Sequence, residues 1–259
     1  MKKFDVTALG ELLVDFTENG MSAQGNPLLE ANPGGAPCNV LSMLQNLGKK
    51  TAFIGKVGAD MFGTMLTQAV KDQGINIDNL VTDDTVHTTL AFVHTGVDGD
   101  RDFSFYRNPG ADMMLREEEI QQEIFADTKI FHFGTLSMTD LRMEQVTKHA
   151  VKKAKEQGAV ISFDPNLRPP LWKKLGDAAD KMWYGISQCD ILKISDDEIS
   201  FLTGTADIDQ GIGKIMEQYC PALICATMGK DGSKAYYKGK SVYAEPFLQK
   251  NTIETTGAG

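Results

Sequence analysis

No C-x-x-C pair occurs in this chain, and its four cysteines, Cys38, Cys189, Cys220 and Cys225, share no ligand spacing. That argues against a thiolate metal knot and gives no disulfide framework; reduced thiols of a cytosolic protein are expected. The four histidines (87, 94, 132 and 149) are scattered and form no H-E-x-x-H, so a zinc site is not expected. No run of about 18 uncharged apolar residues is present, so no helix is expected to span a bilayer. Residues 1–16, MKKFDVTALGELLVDF, are interrupted by Asp5, Glu11 and Asp15 and lack both the apolar stretch and the cleavage site of a signal peptide. Positive charge is scarce too: 26 Lys and Arg against 35 Asp and Glu give a net charge of −9. Such a chain repels phosphate backbones and anionic lipid, so nucleic acid and membrane surfaces are poor partners. An anionic substrate needs a local basic site set against that field. Two nucleotide signatures are also missing. The residues after the first expected strand read LGELLVD, not G-x-G-x-x-G, and no G-x-x-x-x-G-K-[ST] occurs. A nucleotide, if bound, is held by other equipment.

What is present is an ordinary globular composition, 42% hydrophobic and 24% charged, over 259 residues, enough for a sizeable core. Strand-like and helix-like segments alternate. FDVTAL, TAFIGKVG, KIFHFG, AVISFDP, DILKIS and ALICATMG read as buried strands. NVLSMLQNLGKK reads as a helix closed by Gly48, and DMFGTMLTQAVKDQG as a helix capped by Asp60 and stopped at Gly74. TDLRMEQVTKHAVKKAKEQG, DEISFLTG and DIDQGIGKIMEQYC supply further helices. Continuous apolar strands between amphipathic helices predict an α/β fold with a mostly parallel sheet covered on both faces. Two stretches break the alternation. Residues 16–33 are polar and turn-rich, and residues 88–107 are two alternating strands joined by VDGD, a hairpin signature. Together they predict one small β-layer built from two excursions, about 16–33 and 86–112, out of a single domain spanning 1–259.

Five stretches offer chemistry, each with a plainer alternative. In ANPGGAPCNV, Gly34 and Gly35 precede a helix and permit close approach of a ligand, while Asn39 can donate to and accept from a hydroxyl. A simple helix-start loop is the alternative. Asp15 follows the first strand, and a carboxylate suits the paired hydroxyls of a polyol; a solvated loop residue reads equally well. FDPNLRPPLW places Asp164, Asn166 and Arg168 at a strand's carboxyl end, where open α/β sheets bind ligands, or forms a capped turn. DILKISDDEISFLTG puts Lys193 at a strand end, where it can neutralise phosphate, and Glu198 in the next helix, where it can hold Mg²⁺ through water. An acidic first helical turn explains SDDE as well. CATMGKDGS runs a strand into a glycine-rich turn, with Thr227, Gly229 and Gly232 available to phosphates, or closes a hairpin.

Taken in order, GELLVDF, NPGGAPCNV, AFIGKVGAD with FG following, FSFYRNPGADMML, FDPNLRPPLW, KISDDEISFLTG, ATMGKDGS and ETTGAG span nearly the whole chain. In this order they resemble the ribokinase-like (PfkB) family of sugar kinases, and within it the fructokinase branch. The resemblance implies a three-layer Rossmann-type α/β core with a β-sheet lid, and transfer of the γ-phosphoryl of ATP to a ketohexose hydroxyl, with fructose first. 2-Keto-3-deoxygluconate and ribose are the alternative substrates. A non-catalytic sugar-binding protein is the alternative of another class. Carried over, Asp15, Gly34, Gly35 and Asn39 line the sugar pocket, and Arg107 comes from the lid. Asn166 and Arg168 face the phosphate path or the sugar's far end. Lys193, Thr227, Gly229 and Gly232 serve ATP, and Glu198 serves Mg²⁺, with a monovalent cation as a third cofactor. Gly257, Ala258 and Gly259 form the anion hole. The resemblance also implies a cytoplasmic homodimer pairing through the lid, since the second excursion leaves a strand edge to cover.

The chain departs from the family pattern in three places. Ser195 stands where the wider family has Asn, and Glu254 where it has Asp. The Asp expected to take the hydroxyl proton would follow Gly259, so the sequence reads as cut at TGAG. General-base catalysis contributes about 10²- to 10⁴-fold. Little or no phosphorylation of fructose is therefore expected from these 259 residues alone; a longer version ending beyond an Asp should restore it in the same coupled assay, and equal rates would refute the assignment of the base.

Overall fold

The computed structural model describes residues 2–95 and 101–247. Thirteen strands among them form two sheets. The large sheet starts with β1 (Phe4–Leu9), which is joined on one side by β4 (Thr51–Gly58) and then β5 (Asn76–Asp83). On its other side stand β8 (Thr128–Gly134), β9 (Val160–Asp164), β10 (Ile191–Ser195), β11 (Leu223–Thr227), β12 (Ser233–Tyr237) and β13 (Lys240–Ala244). All pairings are parallel except those of β12 and β13, which close the edge as an antiparallel hairpin. Parallel strands need long crossovers, and helices supply them. These are α1 (Ala36–Asn46), α2 (Met61–Asp72), the single turn α3 (Glu123–Ala126), α4 (Leu141–Glu156), α5 (Leu175–Gln188), α6 (Asp196–Thr203) and α7 (Ile208–Gln218).

Side-chain alternation along β4 divides the interior in two. Ala52 and Ile54 join one apolar cluster with Phe131, Phe133, Phe163, Ile194 and residues of α4. Phe53 and Val57 join a second with Leu41 of α1 and Leu66 of α2. Successive strand residues point to opposite faces, so the two clusters are the two covered faces of the sheet. No helix of the described residues is long and apolar enough to cross a membrane.

The small sheet has the order β3-β2-β6-β7, from β2 (Leu13–Met21), β3 (Pro27–Gly34), β6 (Leu90–Thr95) and β7 (Arg101–Tyr106). Residues 16–33, read as turn-rich, thus lie in the β2–β3 hairpin. Their strands are exposed over much of their length, so no apolar alternation betrayed them. The VDGD turn lies outside the described residues. Two further differences concern helices. α1 begins three residues before Asn39, because Pro37 sits in its first turn, where a fixed φ and a missing N–H cost nothing. α5 has no counterpart among the helices expected from the sequence. It lies flat on β9 at Gly185, where any Cβ would enter the ring of Phe163.

Gly185 sits mid-helix, where Ala is intrinsically favoured by about 1 kcal/mol. The collision with Phe163 outweighs that gain. Gly185→Ala is expected to destabilise the protein by about 1–3 kcal/mol, measured by urea denaturation. A stabilised variant would refute the close packing of α5 on β9.

Candidate active site

The carboxyl ends of the parallel strands lie on one edge of the large sheet. Gly134 pairs with Asp164, and Ser195 with Thr227. The small sheet leaves this edge directly after β1, through Gly10 to Leu12. Its register sorts its side chains. Asp15 pairs with Asn32 and with Ala91, and Ala91 with Phe105; Thr17 pairs with Glu30 and Val93, and Val93 with Phe103. Partners across a sheet share a face, so these two rows form one surface. The guanidinium of Arg168, from the loop after β9, lies 5.9 Å from the centroid of the Phe103 ring. Phe103 shares a face with Asp15, so this face of the small sheet is the one that meets the loop after β9. The opposite surface is aromatic: Phe16 stacks on Phe92 at 4.9 Å and meets Phe62 of α2 edge-on. A cavity of about 590 Å³ opens beside that surface, lined by Met61, Phe62, Leu90 and Tyr106 among others.

Two glycines seat Asp15. A Cβ on Gly34 would strike the Asp15 carboxylate, so the absence of a side chain there is what lets the carboxylate lie against the β3 backbone. Gly35 has φ 119, and a Cβ there would collide with the carbonyl of Glu11; it is also the N-cap of α1. The next N–H, of Ala36, donates to Glu11 Oε1 at 2.9 Å. Asn39 is exposed on the first turn of α1, and its own N–H donates to Gly35 O at 3.1 Å.

The second group gathers on β9, β10 and β11. Lys193 Nζ lies 3.4 Å from Asp164 Oδ2. Burial raises the Asp164 carboxyl above the usual range, and Lys193 opposes that rise. Asn166 adopts φ 46, and its N–H donates to Asp164 Oδ1 at 3.2 Å. Glu198, 6% exposed, accepts the Leu167 N–H at 2.7 Å with Oε1 and the Ser195 N–H at 2.8 Å with Oε2. Thr227 ends β11, and Gly229, at φ 52, opens the single helical turn Gly229–Asp231 that leads to Gly232. Gly257, Ala258 and Gly259 lie outside the described residues.

Arg107, expected to reach a sugar from the small sheet, is instead turned to protein partners. Its Nε donates to Asp112 Oδ2 at 2.8 Å, its Nη1 to Thr139 Oγ1 at 2.8 Å and its Nη2 to Leu136 O at 3.0 Å. Only 3% of the side chain is exposed. The physical reason is Asp112: a buried carboxylate needs a paired cation. Three buried groups were not singled out in the sequence. Asp112 also accepts Thr89 Oγ1 at 2.5 Å. His132 Nδ1 lies 3.0 Å from Ser162 Oγ, and burial, aided by Lys193, takes its pKa down to about 4. Burial takes Glu11 up to about 7, with Arg107 pulling the other way. An acidic residue inside the apolar run ALGELLVDF is the one signal that could have marked Glu11.

Among the described residues no three His, Cys, Asp or Glu side chains are arranged to hold a metal ion. A hydrated cation fits at Glu198: each of its oxygens spends one acceptor site on an amide and keeps another for a metal-bound water.

Comparison with known proteins identifies the family. The family model described as pfkB family carbohydrate kinase matches residues 3–259. Probable fructokinase-5 of Arabidopsis thaliana is 40% identical over 258 residues, covering 98% of this chain and 79% of its own length. The crystal structure of fructokinase from Xylella fastidiosa is similar at a TM-score of 0.88 and 33% identity, covering 96% of this chain and 77% of that one. Fructokinase from Vibrio cholerae O395, with fructose, ADP and calcium ion bound, gives a TM-score of 0.88 at 29% identity, covering 100% of this chain and 81% of that one.

The raised pKa of Glu11 carries a signed consequence for stability. Below 4.5 the carboxyl is neutral in both folded and unfolded chains. As pH rises to about 7 only the unfolded chain ionises, and the folded state loses about 3 kcal/mol. Glu11→Gln removes that slope, so its stability relative to the wild type should grow by about this amount between pH 4.5 and 8 in urea melts. A difference that stays constant with pH would refute the burial of a neutral Glu11.

Proposed function

We infer the reaction from one premise: the chain belongs to the pfkB family of carbohydrate kinases. It is an ATP-dependent kinase that phosphorylates fructose. The observation that supports the assignment of residues is the Arg168–Phe103 contact, which joins the face of the small sheet that carries Asp15 to the loop following Asp164. Asp15 accepts hydrogen bonds from two sugar hydroxyls, and Asn39 serves a third as donor or acceptor. Gly34 and Gly35 keep the floor of that pocket clear of side chains. Arg168 and Lys193 are the local cations that a net charge of −9 makes necessary for a polyphosphate. Thr227, Gly229 and Gly232 offer a hydroxyl and backbone to the nucleotide. Arg107 acts from behind, holding the end of β7 through Asp112. Asn166 sets the turn that presents Arg168. Mg²⁺, when bound, would offset charge on the transferring phosphoryl group, and Glu198 would hold it through its water shell. A monovalent cation is a further expected cofactor.

The aromatic surface of the small sheet, with Tyr106 69% exposed and Met61 of the neighbouring α2 75% exposed, suits a second copy of the chain, giving a homodimer through the lid. The four free cysteines fit a cytoplasmic setting.

Asp15→Asn is expected to weaken fructose binding roughly 10- to 100-fold, since one charge-assisted acceptor is lost. Isothermal titration with a non-hydrolysable ATP analogue present measures this without turnover. Wild-type fructose should bind ahead of ribose and 2-keto-3-deoxygluconate in the same titration. Unchanged affinity in Asp15→Asn, or preference for the acid sugar, would overturn the assignment.

A further inference from the structure

Glu198 is placed above as a holder of cation-bound water, but its hydrogen bonds give it a second task. Its Oε1 reaches out of α6 to the N–H of Leu167 at 2.7 Å, in the loop that follows β9. Its Oε2 stays with the Ser195 N–H, and Ser195 Oγ returns a bond from the Glu198 N–H at 3.3 Å. The second pair is an ordinary capping box. The first is not needed to cap α6; it ties the helix to another segment.

That segment is under local strain. Asn166 holds φ 46, a conformation that costs a non-glycine residue free energy and persists only where the surroundings enforce it. Three groups enforce it. The Pro165 carbonyl accepts both the N–H of Thr135 at 3.2 Å and its Oγ1 at 2.5 Å. Asp164 Oδ1 accepts the Asn166 N–H. Glu198 grips Leu167, the residue next to Arg168. The carbonyl of Leu167 in turn accepts Arg168 Nη1 at 3.1 Å. Leu167 therefore stands between the carboxylate and the guanidinium, with its N–H on one and its C=O on the other.

We propose that Glu198 is a positioning residue for Arg168: through Leu167 it aims the guanidinium over Phe103 and so fixes the distance at which the small sheet closes over the strand ends. The role in substrate binding rests on the kinase reading; the aiming of the loop does not. Two amide donors meet one carboxylate, so the site discriminates between close relatives of Glu. Glu198→Gln can accept only one of the two N–H groups, because its NH₂ would face the other as a second donor. Glu198→Asp keeps the charge for a hydrated cation but is a methylene too short to reach both.

The experiment has two arms. Hydrogen–deuterium exchange of the peptide spanning 164–168, without any ligand, should quicken at least tenfold in both Glu198→Gln and Glu198→Asp. Ser195→Ala, which loosens the α6 cap without touching Leu167, should leave that peptide at the wild-type rate. In the second arm, fructose affinity is titrated at saturating Mg²⁺ in a double-mutant cycle. Glu198→Gln should weaken binding about tenfold in the wild-type background and have no effect in Arg168→Ala. If Glu198→Gln fails to fold, Glu198→Asp takes its place in both arms. Wild-type exchange in both variants would overturn the proposal. So would an equal loss in the two backgrounds, which would mean an effect independent of Arg168. If the wild type binds no fructose, the kinase reading fails while the exchange arm still decides the aiming of the loop.

Discussion

The Arg107–Asp112 pair is the joint on which the two sheets depend. It lies just past the end of β7, and Asp112 reaches back to Thr89 at the start of β6, so both strands of the second hairpin are fastened to it. Arg107 also bonds Leu136 and Thr139, in the connection between β8 and α4. A fully desolvated pair of this kind adds little net stability by itself, but removing one partner strands the other charge at a cost of about 3–5 kcal/mol. Its main effect is geometric. The pair ties the end of β7 and the start of β6 to the connection between β8 and α4. Glu11, on the other connection between the sheets, stands near enough to feel the same cation.

Much of this was legible in the sequence because it depends on short-range rules. Continuous apolar strands such as TAFIGKVG, whose eight residues are all buried, can only be interior strands of a covered parallel sheet. Asp60 caps α2 as its position before MFG predicted, accepting from the Gly63 N–H. The glycines at 34 and 35 announced a close approach, although what approaches first is the protein's own Asp15 and Glu11. Family resemblance then supplied the ligand chemistry that no single stretch could.

What the sequence hid is long-range pairing of polar groups. Arg107 reads as an available cation until Asp112 and Thr139 are folded against it, and nothing local marks that neutralisation. Glu198 reads as an acidic first turn or a metal ligand; its bond to Leu167 spans 31 positions. The β2–β3 hairpin is exposed along much of its length, so its strands carry the composition of loops. α5 hid for a related reason, with Gly176 and Gly185 weakening the helical signal while Gly185 serves the fit to Phe163.

The topology also dictates an order of events during synthesis. β1 is an interior strand of the large sheet, yet its neighbour β8 begins at Thr128, and the hydroxyls of Thr7 and Thr128 meet at 2.6 Å across 121 positions. Until the ribosome has delivered that distant strand, β1 has β4 on one side and an open edge on the other. Its buried residues Val6, Ala8 and Leu9 are then a surface for wrong partners. Asp5 and Glu11 interrupt this first apolar segment, and charge placed in this way opposes association of exposed apolar strands.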